Sequence, residues 1–257
     1  MLSLDVLLYT LILLPRTVQP HQENSRNVFT DVSVLSEIVE SFQVQDSTME
    51  EALRTLRQYD FARILIGFEK IVHREGEKTE SLSLSTNSAT VGQILEQLCQ
   101  QSKQYQYEVI QGGIIYVHPA HADSDPLGLL NIKITDFSVE GKMAPAAIIL
   151  RIGELAPGLA SYLNAKESEY YSRRGLVLGF PGAILHGNMD PEVNLHLQNM
   201  TVRAILNAIV LYSRQLSDQT PADIGGNKIP PTSWIYEFVL NPEAPTGLGG
   251  IPRWVAF

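Results

Sequence analysis

Apolar and polar residues alternate in a pattern that occurs more than once along the chain, and its clearest copy spans residues 81–118. Leu82 and Leu84 alternate with serines, which is typical of a half-buried strand. Thr90 follows as a helix N-cap, and Gln93 is placed to complete a capping box. The next apolar residues recur at helical spacing and form one stripe: Val91, Ile94, Leu95 and Leu98. The pattern therefore predicts a strand that leads directly into a helix.

A predicted hairpin closes this copy of the pattern. Residues 105–109 alternate between apolar and polar types, and residues 114–117 are apolar. Between them, Gly112 and Gly113 supply a tight turn. The full order of predicted elements in this copy is strand, helix and hairpin.

The helix start recurs elsewhere in the chain. Thr201 and the apolar residues after it repeat the Thr90 helix at a constant offset of 111 residues (201 − 90). An earlier helix start lies at Thr48, where Glu51 is the capping partner. Internal repetition at this level decides the fold prediction.

A degenerate fourth copy follows Phe137, which lies 95 residues after Phe42 (137 − 42). Its Pro145 is compatible with a helix only in the first turn. The predicted apolar stripe of this helix consists of Met143, Ala146, Ala147 and Leu150.

The order of elements predicts an α+β fold of two tandem βαββαββ units, each with two helices packed on small mixed sheets. The first unit covers residues 27–120. Residues 121–130 are predicted to be a linker, because Asp, Ser, Pro and Gly cluster there. The second unit covers residues 131–257 and has an expanded middle at 155–191.

Residues 1–26 are predicted to be a signal segment and leader. Residues 6–14 (VLLYTLILL) are apolar, too short to span a bilayer and of suitable length for the apolar region of a signal peptide. No Lys or Arg precedes this run and no small-residue cleavage site follows it. A buried N-terminal helix or a misassigned start is the alternative. Export predicts a periplasmic or secreted location in a bacterial envelope.

Composition and charge exclude one class of partner. A chain of 257 residues with 44% hydrophobic content can bury a substantial core. Its net charge of −9 argues against a nucleic-acid partner, because such binding depends on Lys and Arg neutralising phosphates. Cys99 is the single cysteine, so the chain has no intramolecular disulfide, and its place on the apolar stripe predicts a buried structural thiol.

No motif predicts a catalytic residue, a cofactor or a metal site. His118 and His121 lie on either side of a proline where the linker begins, with too few nearby ligands for a metal ion. The chain has no nucleophile elbow and no phosphate-binding loop. Asn199 and Thr201 match a glycosylation sequon, but Thr201 is better explained as a helix cap.

The repeated unit resembles the short N-terminal domain of secretins and TonB-dependent receptors (the STN domain). The residues that carry this resemblance are Phe42–Val44, Thr48–Leu53, Leu82–Leu84, Thr90–Leu95 and Tyr107–Val117. The chain is therefore expected to contain two tandem STN-like units without a barrel. The resemblance implies a periplasmic module that contacts proteins, either at the entry ring of a secretin or between a receptor and an inner-membrane regulator.

The expected function is thus that of a non-catalytic, exported interaction module with a protein partner in the envelope and no integral membrane span in the mature chain. The sequence leaves the oligomeric state open. In the second unit, charged residues flank two tyrosines and form either a solvated surface or a candidate partner contact: Glu167, Tyr170, Tyr171, Arg173 and Arg174.

The alternative function is an enzyme with its site in the cleft between the two units. Its acids and bases would be drawn from Glu167, Glu169, His186 and His196. A closed, apolar junction between the units would argue against it.

Overall fold

The computed structural model describes residues 33–74, 77, 80–122, 124–156, 158–161, 190–219, 230–240 and 250–257. Helices and strands are both abundant in these residues, and the sheets are mainly antiparallel, so the predicted α+β class is confirmed.

The described part begins with a short 3-10 helix at Ser33–Ser36, and a second one lies at Leu129–Asn131. The strands are β1 (Ile38–Ser47), β2 (Leu65–Glu69), β3 (His73–Arg74), β4 (Leu82–Thr90), β5 (Tyr105–Ile110), β6 (Ile114–Pro119), β7 (Lys133–Lys142), β8 (Glu192–Thr201), β9 (Trp234–Leu240) and β10 (Gly250–Ala256). The helices are α1 (Met49–Arg57), α2 (Val91–Ser102), α3 (Pro145–Leu150), α4 (Ile152–Leu155) and α5 (Val202–Gln219).

A six-stranded sheet forms the centre of the molecule. Its strand order is β10-β9-β2-β6-β5, with β3 beside β9. Strand β2 runs parallel to both β6 and β9, and all five of its residues are buried, as expected for a strand covered on both faces. Because β2 and β6 come from the first predicted unit and β9 from the second, this sheet joins the two halves. The sequence alone did not predict a shared sheet.

The two faces of the central sheet belong to two different apolar cores. Ile66 and Phe68 point into the first core, which also contains the buried residues of α1 and α2. Leu65 and Trp234 point into the second core, together with α3 and α5. This division follows from the alternation of side chains along a strand.

Two antiparallel ribbons cover the helices on their outer sides. The first ribbon is β1 with β4, and the second ribbon is β7 with β8. Phe42 of β1 is fully buried in the first core, and Phe137 of β7 is fully buried in the second. Each helix layer thus lies between a ribbon and the central sheet.

Both ribbons carry positive-φ residues at the offsets seen in the sequence, although the register shifts only in the first ribbon, between Val44 and Ser47. Asp46 and Gly141 have a positive φ and are 95 residues apart (141 − 46). Ser88 and Asn199 also have a positive φ and are 111 residues apart (199 − 88). Each of the latter interrupts the pairing of its ribbon, so the two ribbons share a local distortion as well as a sequence pattern.

Helix α3 departs from the predicted apolar stripe. Ile148 is fully buried, whereas Leu150, which the stripe placed inside, is 47% exposed. The helix starts at Pro145 and lasts six residues, because the backbone leaves the helical region at Arg151. The predicted stripe is therefore right for Ala147, which is 3% exposed, and for Met143, which packs against the second core, and it is wrong for Leu150.

Candidate functional site

The predicted contact surface lies outside the described residues. Glu167, Tyr170, Tyr171, Arg173 and Arg174 all fall between residues 162 and 189. The same holds for Glu169 and His186 of the alternative enzyme site. His196 is the one residue of that site that the structure describes.

His196 lies on β8 in a polar row with Ser138 and Glu140 of β7. The Ser138 Oγ is 3.0 Å from His196 Nδ1, and His196 Nε2 is 3.1 Å from Glu140 Oε1. Hydroxyl, imidazole and carboxylate in this order resemble a nucleophilic triad. However, the His196 and Glu140 side chains are 51% and 71% exposed, and such catalysis depends on an enclosed, preorganised site. We interpret the polar row as a set of cross-strand contacts.

The lysine cluster, formed by Glu50, Arg54, Lys70, His73 and Glu237, joins the two halves. Lys70 Nζ lies 2.9 Å from Glu50 Oε2 on α1 and 2.9 Å from Glu237 Oε2 on β9. Arg54 forms a second ion pair with Glu50 at 2.9 Å, and His73 Nε2 lies 3.6 Å from Glu237 Oε2. Lys70 is therefore held between carboxylates from both halves of the chain.

The charges in the lysine cluster keep Lys70 protonated. Burial would by itself lower the pKa of Lys70, but hydrogen bonds and charges from Glu50 and Glu237 outweigh it, so this pKa lies above its ordinary value. Burial would likewise raise the pKa of Glu50, and Lys70 with Arg54 reverses this effect. A lysine in this state is not a nucleophile near neutral pH. The cluster is a structural link.

The glutamate cluster, formed by Glu69, Tyr116, Ser124 and Arg203, is a second link between the two halves. It lies on the other face of the central sheet. Glu69 ends β2, is 3% exposed and accepts hydrogen bonds from three side chains. These are the Tyr116 hydroxyl, the Arg203 Nε at 2.6 Å and the Ser124 Oγ at 2.9 Å. Burial, followed by the Glu69 charge, raises the pKa of Tyr116, so Tyr116 remains a neutral donor. With its carboxylate saturated, Glu69 is unsuited to act as a general base.

The predicted linker at 121–130 contacts both halves. Ser124 bonds Glu69 from the first half, and Asp125 accepts a hydrogen bond from the Tyr236 hydroxyl of β9 at 2.8 Å. Asp125 also accepts from the backbone N–H groups of Leu129 at 2.9 Å and Leu130 at 2.7 Å, which begin the second 3-10 helix. Ser124 and Asp125 therefore anchor this segment to both halves. The composition of the segment predicted a linker and did not predict these contacts.

No known protein family, curated protein or solved structure matches this chain. Among the described residues, no three His, Cys, Asp or Glu side chains are grouped so that they could hold a metal ion. In the same residues, none of the helices combines the length and apolarity needed to cross a membrane.

Two predicted local roles agree with the geometry. Cys99 is partly buried against the first core, and burial raises the pKa of its thiol to about 11, as suits an unreactive structural thiol. Thr201 Oγ1 accepts a hydrogen bond from the Ala204 N–H at 3.2 Å, which supports its interpretation as a helix cap.

The edges of the two ribbons distinguish a covered side from an open side. On β4, the Ser83 N–H donates to Gln101 Oε1 of α2 at 3.2 Å. On β8, the Asn194 N–H donates to the Tyr212 hydroxyl of α5 at 3.3 Å. Both members of the second pair lie 111 residues after the first (194 − 83 and 212 − 101). The following helix thus satisfies an outward backbone amide at the same place in each ribbon.

In the described part of the chain, the opposite edges of the two ribbons, along β1 and β7, have no neighbouring strand, and they are called open in this sense. Each of these strands is ten residues long, and no described strand pairs with its outer edge. On β1, the Ser47 Oγ donates a hydrogen bond to the Gln45 carbonyl at 3.1 Å. An unpaired edge of this length is a template for an added strand, because its free N–H and C=O groups need partners. The sequence predicts the strands but not their open edges, since Gln101 and Tyr212 belong to no recognisable motif.

Exposed apolar side chains gather beside β1. Ile38 at the start of β1 is 68% exposed, and Tyr59 and Phe61 on the loop after α1 are 45% and 43% exposed. The Tyr59 ring lies 6.2 Å from the ring of Phe42 on β1, which places this loop against the strand. Ile38 and Tyr59 thus lie at β1, whereas the Phe61 ring lies 5.1 Å from the Arg57 guanidinium of α1.

Proposed function

We propose that the chain is a non-catalytic protein-interaction module of the cell envelope that binds an extended segment of a partner along β1. The observation that carries this proposal is the ten-residue edge of β1, to which no described strand pairs, beside the exposed side chains of Ile38 and Tyr59. Backbone hydrogen bonds to the edge would supply affinity, and the apolar side chains would select the partner's sequence.

The local geometry of β1 suits an added strand. Ser41 and Gln43 lie in the half of the ribbon beyond its distortion at Ser88, and both side chains are exposed and uncharged. A partner strand therefore meets no like charge at these positions. An alternating apolar sequence in the partner would place its side chains against Ile38 and Tyr59.

We further propose that the two halves are tandem βαββαββ units that resemble the STN domain. The matched N-caps at Thr90 and Thr201, the matched positive-φ residues and the matched edge contacts of Ser83 and Asn194 all support a duplication. The middle of the second unit lies between residues 162 and 189, outside the described residues.

The alternative enzyme function has less support from the junction between the halves. Strand pairing and two apolar cores fill this junction, and the carboxylates of Glu69 and Glu237 are engaged in ion pairs. His196, the described candidate base, lies on the outer face of the second ribbon.

The β1 proposal is tested by selecting binders from a displayed library of random 12-residue peptides on the purified chain. Binding of enriched peptides is then measured for Gln43→Pro and for the matched control Gln43→Ala. Proline removes the outward N–H that an added strand needs, whereas alanine keeps the backbone unchanged. We expect alternating apolar peptides whose binding is lost in the proline variant and retained in the alanine variant. Peptides that bind both variants equally would place recognition elsewhere.

The envelope location is tested separately. Residues 1–32 are fused to a reporter enzyme that is active only after export. We expect activity from this fusion, and loss of activity when Leu8 and Leu11 are both replaced by Arg, because charges prevent the apolar run from acting as a signal. An inactive unmodified fusion would contradict export.

A further inference from the structure

The open edge of β7 differs from that of β1 because it carries charges. In the second ribbon, the Met143 N–H donates to the Pro191 carbonyl at 3.1 Å, which identifies this opposed pair as hydrogen-bonded. The Asn194 N–H instead donates to Tyr212, so Asn194 and its opposite residue, Glu140, form a pair without ladder bonds. The two observations show which residues of β7 direct their backbone N–H and C=O groups toward β8 and which direct them away from it.

Alternation along the ladder then assigns the outward positions of β7. The outward N–H and C=O groups belong to Asp136, Ser138, Glu140 and Lys142, all with exposed side chains. The short contact between Ser138 and His196 agrees with this, because side chains approach most closely in pairs without ladder bonds. Four consecutive outward positions therefore carry the charge sequence minus, neutral, minus, plus.

We propose that β7 pairs antiparallel with β7 of a second copy of this chain, with the twofold axis at Val139. In this register Asp136 lies opposite Lys142 of the other copy, and Ser138 lies opposite Glu140. All four outward positions are paired, and each copy contributes one Asp–Lys contact. A twofold interface of this kind is isologous, which is the commonest form of homodimer.

Neighbouring registers are less favourable both in the pairing of charges and in the number of outward positions that find a partner. An axis at Ser138 places Asp136 opposite Glu140, and an axis at Glu140 places that residue opposite itself. Both registers also leave one of the four outward positions without a partner. The charges of β7 thus select one register of a self-complementary edge, a selection that the uncharged Ser41 and Gln43 of β1 cannot make.

The dimer extends the second ribbon into a four-stranded sheet of order β8-β7-β7-β8. Two-stranded ribbons are marginally stable in isolation, and a wider sheet with one apolar face gains stability. The inference goes beyond the proposed function: it involves a different strand, and a monomeric chain could still bind a partner along β1.

The register is tested by disulfide formation in a Cys99→Ser background. Opposed residues of a hydrogen-bonded antiparallel pair have Cα atoms about 5.5 Å apart, within the range of roughly 4.4–6.8 Å that a disulfide spans. We expect a crosslinked dimer when the Ser138→Cys and Glu140→Cys proteins are mixed and oxidised, and no crosslink from either protein alone. A crosslink from Ser138→Cys alone or from Glu140→Cys alone would overturn the proposed register.

The charge pairing is tested by sedimentation equilibrium of the full chain. Lys142→Glu places an acid opposite Asp136 twice per dimer and is expected to weaken association by about tenfold. The double variant Asp136→Lys/Lys142→Asp is expected to restore it. Lys133→Glu makes the same charge change outside the paired segment and serves as the matched control. A wild-type chain that stays monomeric at the highest soluble concentration, with native circular dichroism, would overturn the proposal. Lys133 and Lys142 would then be charges that protect the β7 edge from pairing.

Discussion

Single polar residues that are buried or half-buried connect the elements of this protein. Glu69, Glu237 and Lys70 each contact side chains from more than one element, and their partners come from both halves of the chain. Burial of such groups is tolerated when every charge has a partner. The carboxylate of Glu80 differs from these, because no described cation lies within ion-pair distance of it. It accepts hydrogen bonds from the Met49 N–H and the Ser102 hydroxyl instead.

We predict that Glu80→Gln stabilises the protein relative to wild type as the pH rises from 4 to 7. Burial raises the pKa of Glu80 above its ordinary value, although the Met49 N–H, Ser102 and Lys70 oppose this. An acid whose folded pKa is raised binds its proton more tightly in the native state, so its contribution to stability is lost as pH rises through that window. Gln does not titrate, and urea unfolding at both pH values measures the difference.

Glu80→Ala is the contrasting variant. Glu80 Oε1 accepts a hydrogen bond from the Met49 N–H at 2.7 Å, in the first turn of α1. Gln keeps this acceptor and Ala removes it, and neither residue titrates, so Ala is expected to lower the free energy of unfolding by about 1 kcal/mol relative to Gln at both pH values. Equal pH dependence of wild type and Glu80→Gln would contradict the assignment.

We also predict that Gly67→Ala destabilises the contact between the halves. A Cβ at residue 67 of β2 would lie 2.8 Å from two ring carbons of Trp234 on β9, so the buried ring has to shift. Overpacking of this kind costs about 1–3 kcal/mol. Gly158→Ala is the control, because its Cβ would lie at an ordinary 3.5 Å from Ile134. Chemical unfolding of both variants gives the comparison, and equal values would contradict the close approach.

At the scale of elements, the helix caps are the feature that the sequence predicts best. Thr90 accepts from the Gln93 N–H at 3.2 Å, and Gln93 reaches back to the Thr90 N–H at 2.8 Å. Thr48 and Glu51 form the same capping box on α1. These contacts are local, so the residue types and their spacing were enough to predict them.

Thr90→Ala and Thr201→Ala are each expected to reduce the free energy of unfolding by about 1 kcal/mol, because each removes the hydroxyl that accepts from a first-turn amide. The Ser variants keep a hydroxyl and are expected to lose less than half as much. Thermal and urea unfolding of the four proteins measure the effect. A loss in the Ser variants as large as in the Ala variants would show that the methyl group matters more than the cap.

The elements that the sequence predicts poorly depend on distant partners. The predicted strands at Leu82 and Tyr236 and the helix after Thr201 are present, because alternation and caps mark them locally. By contrast, Leu150 is exposed because α3 is short, and no local signal fixes that length. The open edges of β1 and β7 depend on which strands lack neighbours, which a periodic pattern does not encode.

At the scale of the whole molecule, the shared sheet makes the two halves one cooperative unit. Strand β2 pairs with β9, and the lysine and glutamate clusters join the halves on opposite faces of the sheet. Pairing between strands so far apart in sequence leaves no local trace, so the sequence predicted two units without predicting how they join.

We therefore expect a single unfolding transition for both halves. Both tryptophans, Trp234 and Trp254, lie in strands of the second half, so their fluorescence reports on that half. Hydrogen exchange of the α1 and α2 amides reports on the first half. The two probes should give the same urea midpoint. Midpoints that differ by more than their errors would show that the halves unfold independently.

The position of β9 beside β2 also has a consequence for biosynthesis. Lys70 and Glu237, which meet across these strands, are separated by 167 residues. A ribosome adds about 5–20 residues per second, so the first half emerges many seconds before its neighbouring strand exists. During that interval the apolar side chains and the unpaired backbone edge of β2 are exposed to chaperones and to other nascent chains, and the native pairing becomes available only after β9 has been synthesised.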